Sequence, residues 1–280
     1  MEFDWFQGTV MERTDRFIQW CDASYSDCLR SDAKGHNSYL SRADYSREGI
    51  LMLSVSHGGP NGYPNAKATS NAAPRLVSAL RGEFSQPGQI RVTRVDACQD
   101  FDGVGAFDSA QAAMWKVAEE GKVKTRKAGD WDRAQDGRSY YLGSVKSPFV
   151  AVLYEKGIEM RKEIAASGGS PRPNLCRLEG RLRPQSVDAK VRASTLQASE
   201  VFGCCRWGPS VVDAVLSCDV KRIHLTEYRV PDTILSRRSM CKQYFRTITE
   251  MLAEAGNDEL EFGKMMLASY DSVCRELADD

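Results

Sequence analysis

Between Gly137 and Lys156 the chain reads GRSYYLGSVKSPFVAVLYEK, with three tyrosines and two lysines around a Gly-Ser turn. A tyrosine beside a lysine at the end of an apolar strand has the parts for covalent attack on a phosphodiester. The hydroxyl is the nucleophile, and the cation lowers the cost of phenolate and phosphate charge alike. Tyr154 with Lys156 makes that pair, and Tyr140 and Tyr141 are the other two tyrosines of the stretch.

Strand periodicity brings other groups to the same place, because successive side chains alternate between the two faces. Over 89–101 (QIRVTRVDACQDF), Arg94, Asp96, Cys98 and Asp100 share a face, with Val95 and Ala97 opposite. Over 175–183 (LCRLEGRLR), Arg177, Glu179, Arg181 and Arg183 share a face, with Cys176, Leu178 and Leu182 opposite. If these strands lie in one antiparallel sheet, its polar face gathers Asp96, Glu179, Tyr154, Lys156 and several arginines. Two carboxylates on neighbouring strands can hold a hard cation such as Mg²⁺ or Mn²⁺, which would polarise a phosphoryl oxygen. Arginines beside them would bind flanking phosphates. Each feature has a plainer reading: Asp96 in an ion pair with Arg94 or Arg177, Glu179 in a salt-bridge network, and Tyr154 as a core tyrosine.

These groups need a scaffold, and the sequence outlines one. Strands are expected over 4–10, 49–56, 89–101, 138–143, 149–156 and 175–183, the fourth and fifth as a hairpin. Helices are expected over 74–84, after Asp108, and over 160–166. Residues 11–48, 57–65 and 122–136 read as polar or turn-rich connections, and no internal repeat is visible. After Pro184 helical patterns take over, at 187–202, 209–216, 239–255 and 258–277. Strands first and helices last indicate an α+β fold. The expected form is a central, mainly antiparallel sheet with one helix-packed face and one open face. It would occupy an α+β catalytic domain, 1–185, followed by a helical C-terminal region, 186–280.

Composition narrows the function classes. With 280 residues, 42% of them hydrophobic, the chain can bury a large core, yet no apolar run reaches the ~20 residues of a membrane helix. The N-terminus, MEFDWFQGTV, lacks the basic region of a secretory signal, so a cytoplasmic location and no membrane contact are expected. Nine cysteines without a CxxC imply reduced thiols, and the three histidines have no metal-ligand spacing to them, which argues against zinc. His57, before a glycine-rich loop, reads first as loop structure. Net charge is zero, but 122–192 holds 16 Lys and Arg against 8 Asp and Glu, whereas 250–280 holds 2 against 9. A basic middle that coincides with the tyrosines suits a polyanion.

Taken together, RVDACQDF (94–101), YYLGSVKS (140–147), LYEKGIE (153–159) and RLEGRLR (177–183), with DWFQGTV near the start, resemble the replication initiation factor family of rolling-circle initiators. That family (the Rep_trans type) spans plasmid initiators, conjugative-element relaxases and filamentous phage replication proteins. The resemblance implies a bacterial, cytoplasmic, relaxase-like endonuclease that nicks single-stranded or extruded origin DNA through a phosphotyrosine and later rejoins it. Carried over by motif, it makes Tyr154 the nucleophile and Tyr141 the runner-up. Asp96 and Glu179 become the acidic metal positions, and Lys156 the basic partner of the tyrosine. Arg177 and Arg181 would contact phosphate or position the carboxylate, and Arg94, Lys146 and Arg183 would be further DNA contacts. Many relatives have a basic residue where this chain has Val145. A host helicase is a candidate partner of the acidic tail. Non-catalytic binding of single strands, with tyrosines as stacking platforms, is the alternative of another class. A metal-dependent nuclease without a covalent intermediate is a third.

Overall fold

The computed structural model describes residues 1–132, 136–225 and 232–278. Strand β1 (Glu2–Val10) is followed by helix α1 (Thr14–Ser24) and by four successive strands, β2 (Leu29–Lys34), β3 (Ser41–Arg47), β4 (Ile50–His57) and β5 (Asn65–Thr69). The last of these returns to pair with β1. After α2 (Ala72–Glu83) the same plan recurs. Strand β6 (Ile90–Asp102) leads through α3 (Ala106–Gly121) to β7 (Thr125–Gly129), β8 (Arg138–Leu142) and β9 (Phe149–Tyr154). Two short helices, α4 (Lys156–Glu159) and α5 (Arg161–Ala166), then precede β10 (Leu175–Leu182), which returns to β6.

Because β1 and β6 pair with each other, the halves merge into one ten-stranded antiparallel sheet, ordered β2-β3-β4-β5-β1-β6-β10-β9-β8-β7. The duplication is topological, and the two halves share too little residue patterning for a repeat to show in the sequence. Helices α6 (Val187–Arg192), α7 (Glu200–Gly203) and α8 (Gly208–Leu216) follow β10. The fold is therefore α+β, with helices packed against one sheet face.

Alternation decides which face that is. Val95 and Ala97 of β6, Cys176, Leu178 and Leu182 of β10, and Phe149, Ala151 and Leu153 of β9 all join one buried cluster. Leu76, Leu80, Phe107, Met114, Val201, Phe202 and Val211 from the helices complete it. Each fully buried side chain of this size adds ~1.5–3 kcal/mol of transfer free energy. The polar faces of β6 and β10 point away from this layer, as their alternation implied.

The compact unit Met1–Thr226 includes α6 to α8, and Glu227–Asp280 forms a second unit; the sequence reading had drawn its line at 185/186. Helices α6 and α7 pack on β6, and α8 on α3. The second unit consists of α9 (Asp232–Gln243), α10 (Phe245–Glu254) and α11 (Glu259–Ala278).

Several expected elements differ. The strand expected over 149–156 ends at Tyr154, and Lys156 opens α4 instead of continuing the strand. The charged stretch 122–136 contains β7, an edge strand whose Arg126 and Lys127 are exposed. Residues 11–48 contain α1, β2 and β3; α1 buries only Phe17 and Cys21, and β2 is exposed throughout. Such elements are held by pairing with neighbours, and they lack the apolar pattern that announces a strand or helix. The expected loop 57–65 yields its last residue to β5, and the helix expected over 187–202 is two short ones.

Candidate functional site

The register lines up the polar face in rows across the sheet. Tyr154 of β9 lies opposite Arg177 of β10, which lies opposite Asp100 of β6. In the next row Tyr141 of β8, Val152, Glu179 and Cys98 follow one another. In the third, Val150, Arg181, Asp96 and Trp5 of β1 do so. Asp96 and Glu179 are buried beneath the arginines that fork onto them.

Both candidate tyrosines open into one cleft of about 300 Å³, lined also by Ser139, Val152, Glu159 and Arg181. Tyr140 points the other way into the core, as period 2 requires. The Tyr141 ring carries the Arg126 guanidinium at 3.9 Å from its centroid. Lys156 Nζ lies 5.7 Å from the Tyr154 ring centroid and is ion-paired with Glu159 at 3.0 Å. No hydrogen bond reaches the Tyr154 hydroxyl among the described residues. Burial pushes the Tyr154 phenol above its ordinary range, the charge of Glu179 adds to that, and Arg177 opposes it.

The strand end that carries Tyr154 is clamped. The Glu155 carboxylate accepts the Arg138 backbone N–H at 2.7 Å and its guanidinium at 2.9 Å. Arg138 also donates to Asp108 of α3 at 2.7 Å and stacks on Phe107. Neither Glu155 nor Arg138 was legible as part of the site, because the bond between them depends on the β8–β9 register.

Asp96 and Glu179 are brought together, and so are their arginines. Arg94 forks onto Asp96, with Nε 2.9 Å from Oδ2 and a second bond from Nη2. Arg181 forks onto Glu179 at 2.8 and 3.2 Å. The two carboxyls lie close enough to act on each other's titration. Burial raises Asp96 to about 7, against the pull of Arg94. Burial acts on Glu179 in the same sense, but the Arg181 fork and charge, the interaction with Asp96 and the charge of Arg94 outweigh it and leave Glu179 below its usual value. The two carboxyls are thus pushed in opposite directions, Asp96 towards its neutral form and Glu179 towards its ionised one.

Arg177 is the most tied of the arginines. It forks onto Asp100, with Nη2 at 3.0 Å, and reaches Asp4 at 2.7 Å. It thereby ties β1, β6 and β10 together. Asp4 enters the face through a register irregularity between Phe3 and Trp5, which simple alternation could not foresee. Burial and the charge of Glu179 raise the Asp4 carboxyl. Trp5, also absent from the sequence reading of the site, supports the Arg94 guanidinium 4.0 Å from its ring centroid.

The remaining expected contacts lie further out. Lys146 sits in the exposed β8–β9 turn, five or more strand residues (~17 Å) from the Tyr154 end of the hairpin. Arg183 follows the end of β10. His57 ends β4, five strands from β9 in the sheet order, and takes no part in the cleft. The Cys98 thiol, pushed up to about 12 by burial, is a filler beneath the arginines.

The donor set does not fit a divalent ion as it stands. Both carboxylates of the expected pair are engaged by guanidinium forks. Among the described residues no group of three or more His, Cys, Asp or Glu side chains is arranged to hold a metal. No helix among them is long and apolar enough to cross a membrane.

No protein-family model and no curated protein matches the chain. Among solved structures, the rolling circle replication initiator protein from Geobacillus stearothermophilus is similar at 17% identity and a TM-score of 0.49, over 72% of this chain and 82% of that one. At that identity and score it is a likeness only.

Proposed function

We propose that this chain is a rolling-circle replication initiator, which nicks one DNA strand through a covalent phosphotyrosine and later rejoins it. The observation that carries the reading is the cleft on the open sheet face. It holds both candidate tyrosines and Arg181, with Arg177 opposite Tyr154. The sequence resemblance supplies the reaction and the substrate, single-stranded or extruded origin DNA in a bacterial host.

In this reading the Tyr154 oxygen attacks phosphorus, a Tyr–O–P bond forms, and the bond from phosphorus to the leaving sugar oxygen breaks. The phenol proton passes to water in the open cleft, since no base touches the hydroxyl, and the departing sugar oxygen takes up a proton. Arg181 and Lys156 offset charge on the phosphoryl group, and Arg177 favours the phenolate. The phosphotyrosine keeps the energy of the broken bond, so reversal rejoins the strand. Dependence on Mg²⁺ or Mn²⁺ stays part of the proposal as a requirement for chelation experiments to test, and no step here runs through an ion. A host helicase as partner of the acidic tail is likewise a proposal.

The test is incubation of the full chain with an origin-length single strand, with and without Mn²⁺, followed by denaturing electrophoresis. A denaturation-resistant adduct that disappears in Tyr154→Phe is expected. Binding without any adduct would favour non-catalytic strand binding, and strand hydrolysis that survives Tyr154→Phe would favour a nuclease.

A further inference from the structure

Arg183 follows directly on the Leu182–Val95 pairing, so the next position in register sets it opposite Arg94. Like charges directly opposite on a ladder destabilise it. Arg181, two pairs back and so on the same face, adds a third cation. Burial lowers the Arg183 guanidinium pKa, with repulsion from Arg94 and Arg181 acting in the same sense and the charges of Asp96 and Glu179 against it.

The hydrogen bonds show what these cations leave unused. Arg94 and Arg181 each spend Nε and Nη2 on a carboxylate, and neither Nη1 has a partner among the described residues. The Arg183 side chain makes no hydrogen bond or ion pair among the described residues; only its backbone is engaged. Trp5 fixes the plane of Arg94 from beneath. Arg177, by contrast, has all three of its nitrogens committed to Asp4 and Asp100. Three guanidiniums therefore accompany two carboxyls on this face, so the cations are in excess even with both carboxyls ionised. An anion is the missing complement.

We propose that Arg94, Arg181 and Arg183 form a binding site for one backbone phosphate of the DNA strand, adjoining the tyrosine cleft through Arg181. The Asp96–Glu179 pair is the buried scaffold that aims two of these arginines, in place of the metal site expected from the sequence. This inference rests on the open face being the strand's path, as proposed above. It goes further by separating phosphate-binding arginines from Arg177, which is a strut.

The test reads binding and not cleavage, so its failure is distinct from failure of the nicking reading. The full chain carrying Tyr141→Phe and Tyr154→Phe is titrated with a short single strand at several salt concentrations, with and without Arg183→Gln. Loss of the Arg183 charge is expected to weaken binding roughly tenfold. It should also flatten the plot of log K against log salt by about 0.7, the value for one phosphate on a single strand. A neutral methylphosphonate at one position of the strand should give the same loss, with no further loss when combined with Arg183→Gln. The Arg183→Gln chain should melt at or above the parent, because a like-charge contact has gone. Unchanged affinity and slope, or a lowered melting temperature with unchanged binding, would overturn the site. Saturable Mn²⁺ binding to the DNA-free chain that is lost in Glu179→Gln would restore the metal reading. Equal occupancy by inorganic phosphate alone would make it a free-anion site instead of a strand contact.

Discussion

Tyr154 is the residue on which the chemistry depends, and its surroundings hold it as a neutral phenol at rest. Burial and the neighbouring Glu179 charge raise its pKa, and only Arg177 works the other way. The reactive form is the phenolate, so each pH unit below the shifted pKa costs a factor of ten in its population. The rate of adduct formation at saturating strand should therefore rise tenfold per unit from about pH 6 to about pH 9 without levelling off. A plateau below about pH 8 in single-turnover kinetics would mean that an ordinary or lowered pKa governs attack. Tyr154, Asp96, Glu179 and the arginines were all legible as members of one face from residue type and alternation, whereas Tyr141 was reached only through the family resemblance. Their pairing was not. Whether Asp96 faces an ion or an arginine depends on which nitrogens point inward, and the plainer ion-pair reading of Asp96 with Arg94 is the arrangement found.

Elements set how tightly these residues are placed. Gly180 lies between Glu179 and Arg181 on the opposite, helix-packed face of β10. A Cβ there would come within 3.0 Å of the Phe202 ring and 3.1 Å of Phe149. Gly180→Ala should therefore destabilise the chain by about 1–3 kcal/mol in denaturant unfolding, through overpacking. It should also disturb strand binding, since Glu179 and Arg181 flank the strained position. Wild-type stability in that variant would show that the Phe202 and Phe149 rings yield freely. The strands with strong apolar alternation, β6, β9 and β10, were readable from the sequence. The edge strands β2 and β7 were not, because they are held by backbone pairing and carry polar, exposed side chains. The irregularity that delivers Asp4 was hidden for a related reason: an extra residue breaks the period on which the reading relies.

At the scale of the molecule, two βα-plus-four-strand halves share a single sheet, and the candidate chemistry occupies only the second. Their counterparts in the first half, β1 and β5, carry Gln7 hydrogen-bonded to Asn65 at 2.9 Å, a neutral pairing where the second half has Asp96, Glu179 and their arginines. The unit Met1–Thr226 contains this sheet, its helices and every candidate site residue. A chain ending at 226 should therefore unfold cooperatively in a thermal melt and keep strand binding. In the helices after 231, no described side chain from 236 to 272 is buried. The isolated segment 227–280 should consequently lose its helical signal gradually on heating, as expected of helices without a core of their own. A sharp, cooperative transition in that segment would contradict this.

The central claim is covalent attack by a tyrosine of the open-face cleft, and peptide mapping of the protein–DNA adduct tests it most directly. After incubation with an origin-containing single strand, the phosphorylated peptide should carry Tyr154, and Tyr154→Phe should abolish the adduct while strand binding persists. An adduct mapped to Tyr141, or retained in Tyr154→Phe, would contradict the assignment of the nucleophile. Tight binding with no adduct at any origin-containing strand would contradict the reaction itself.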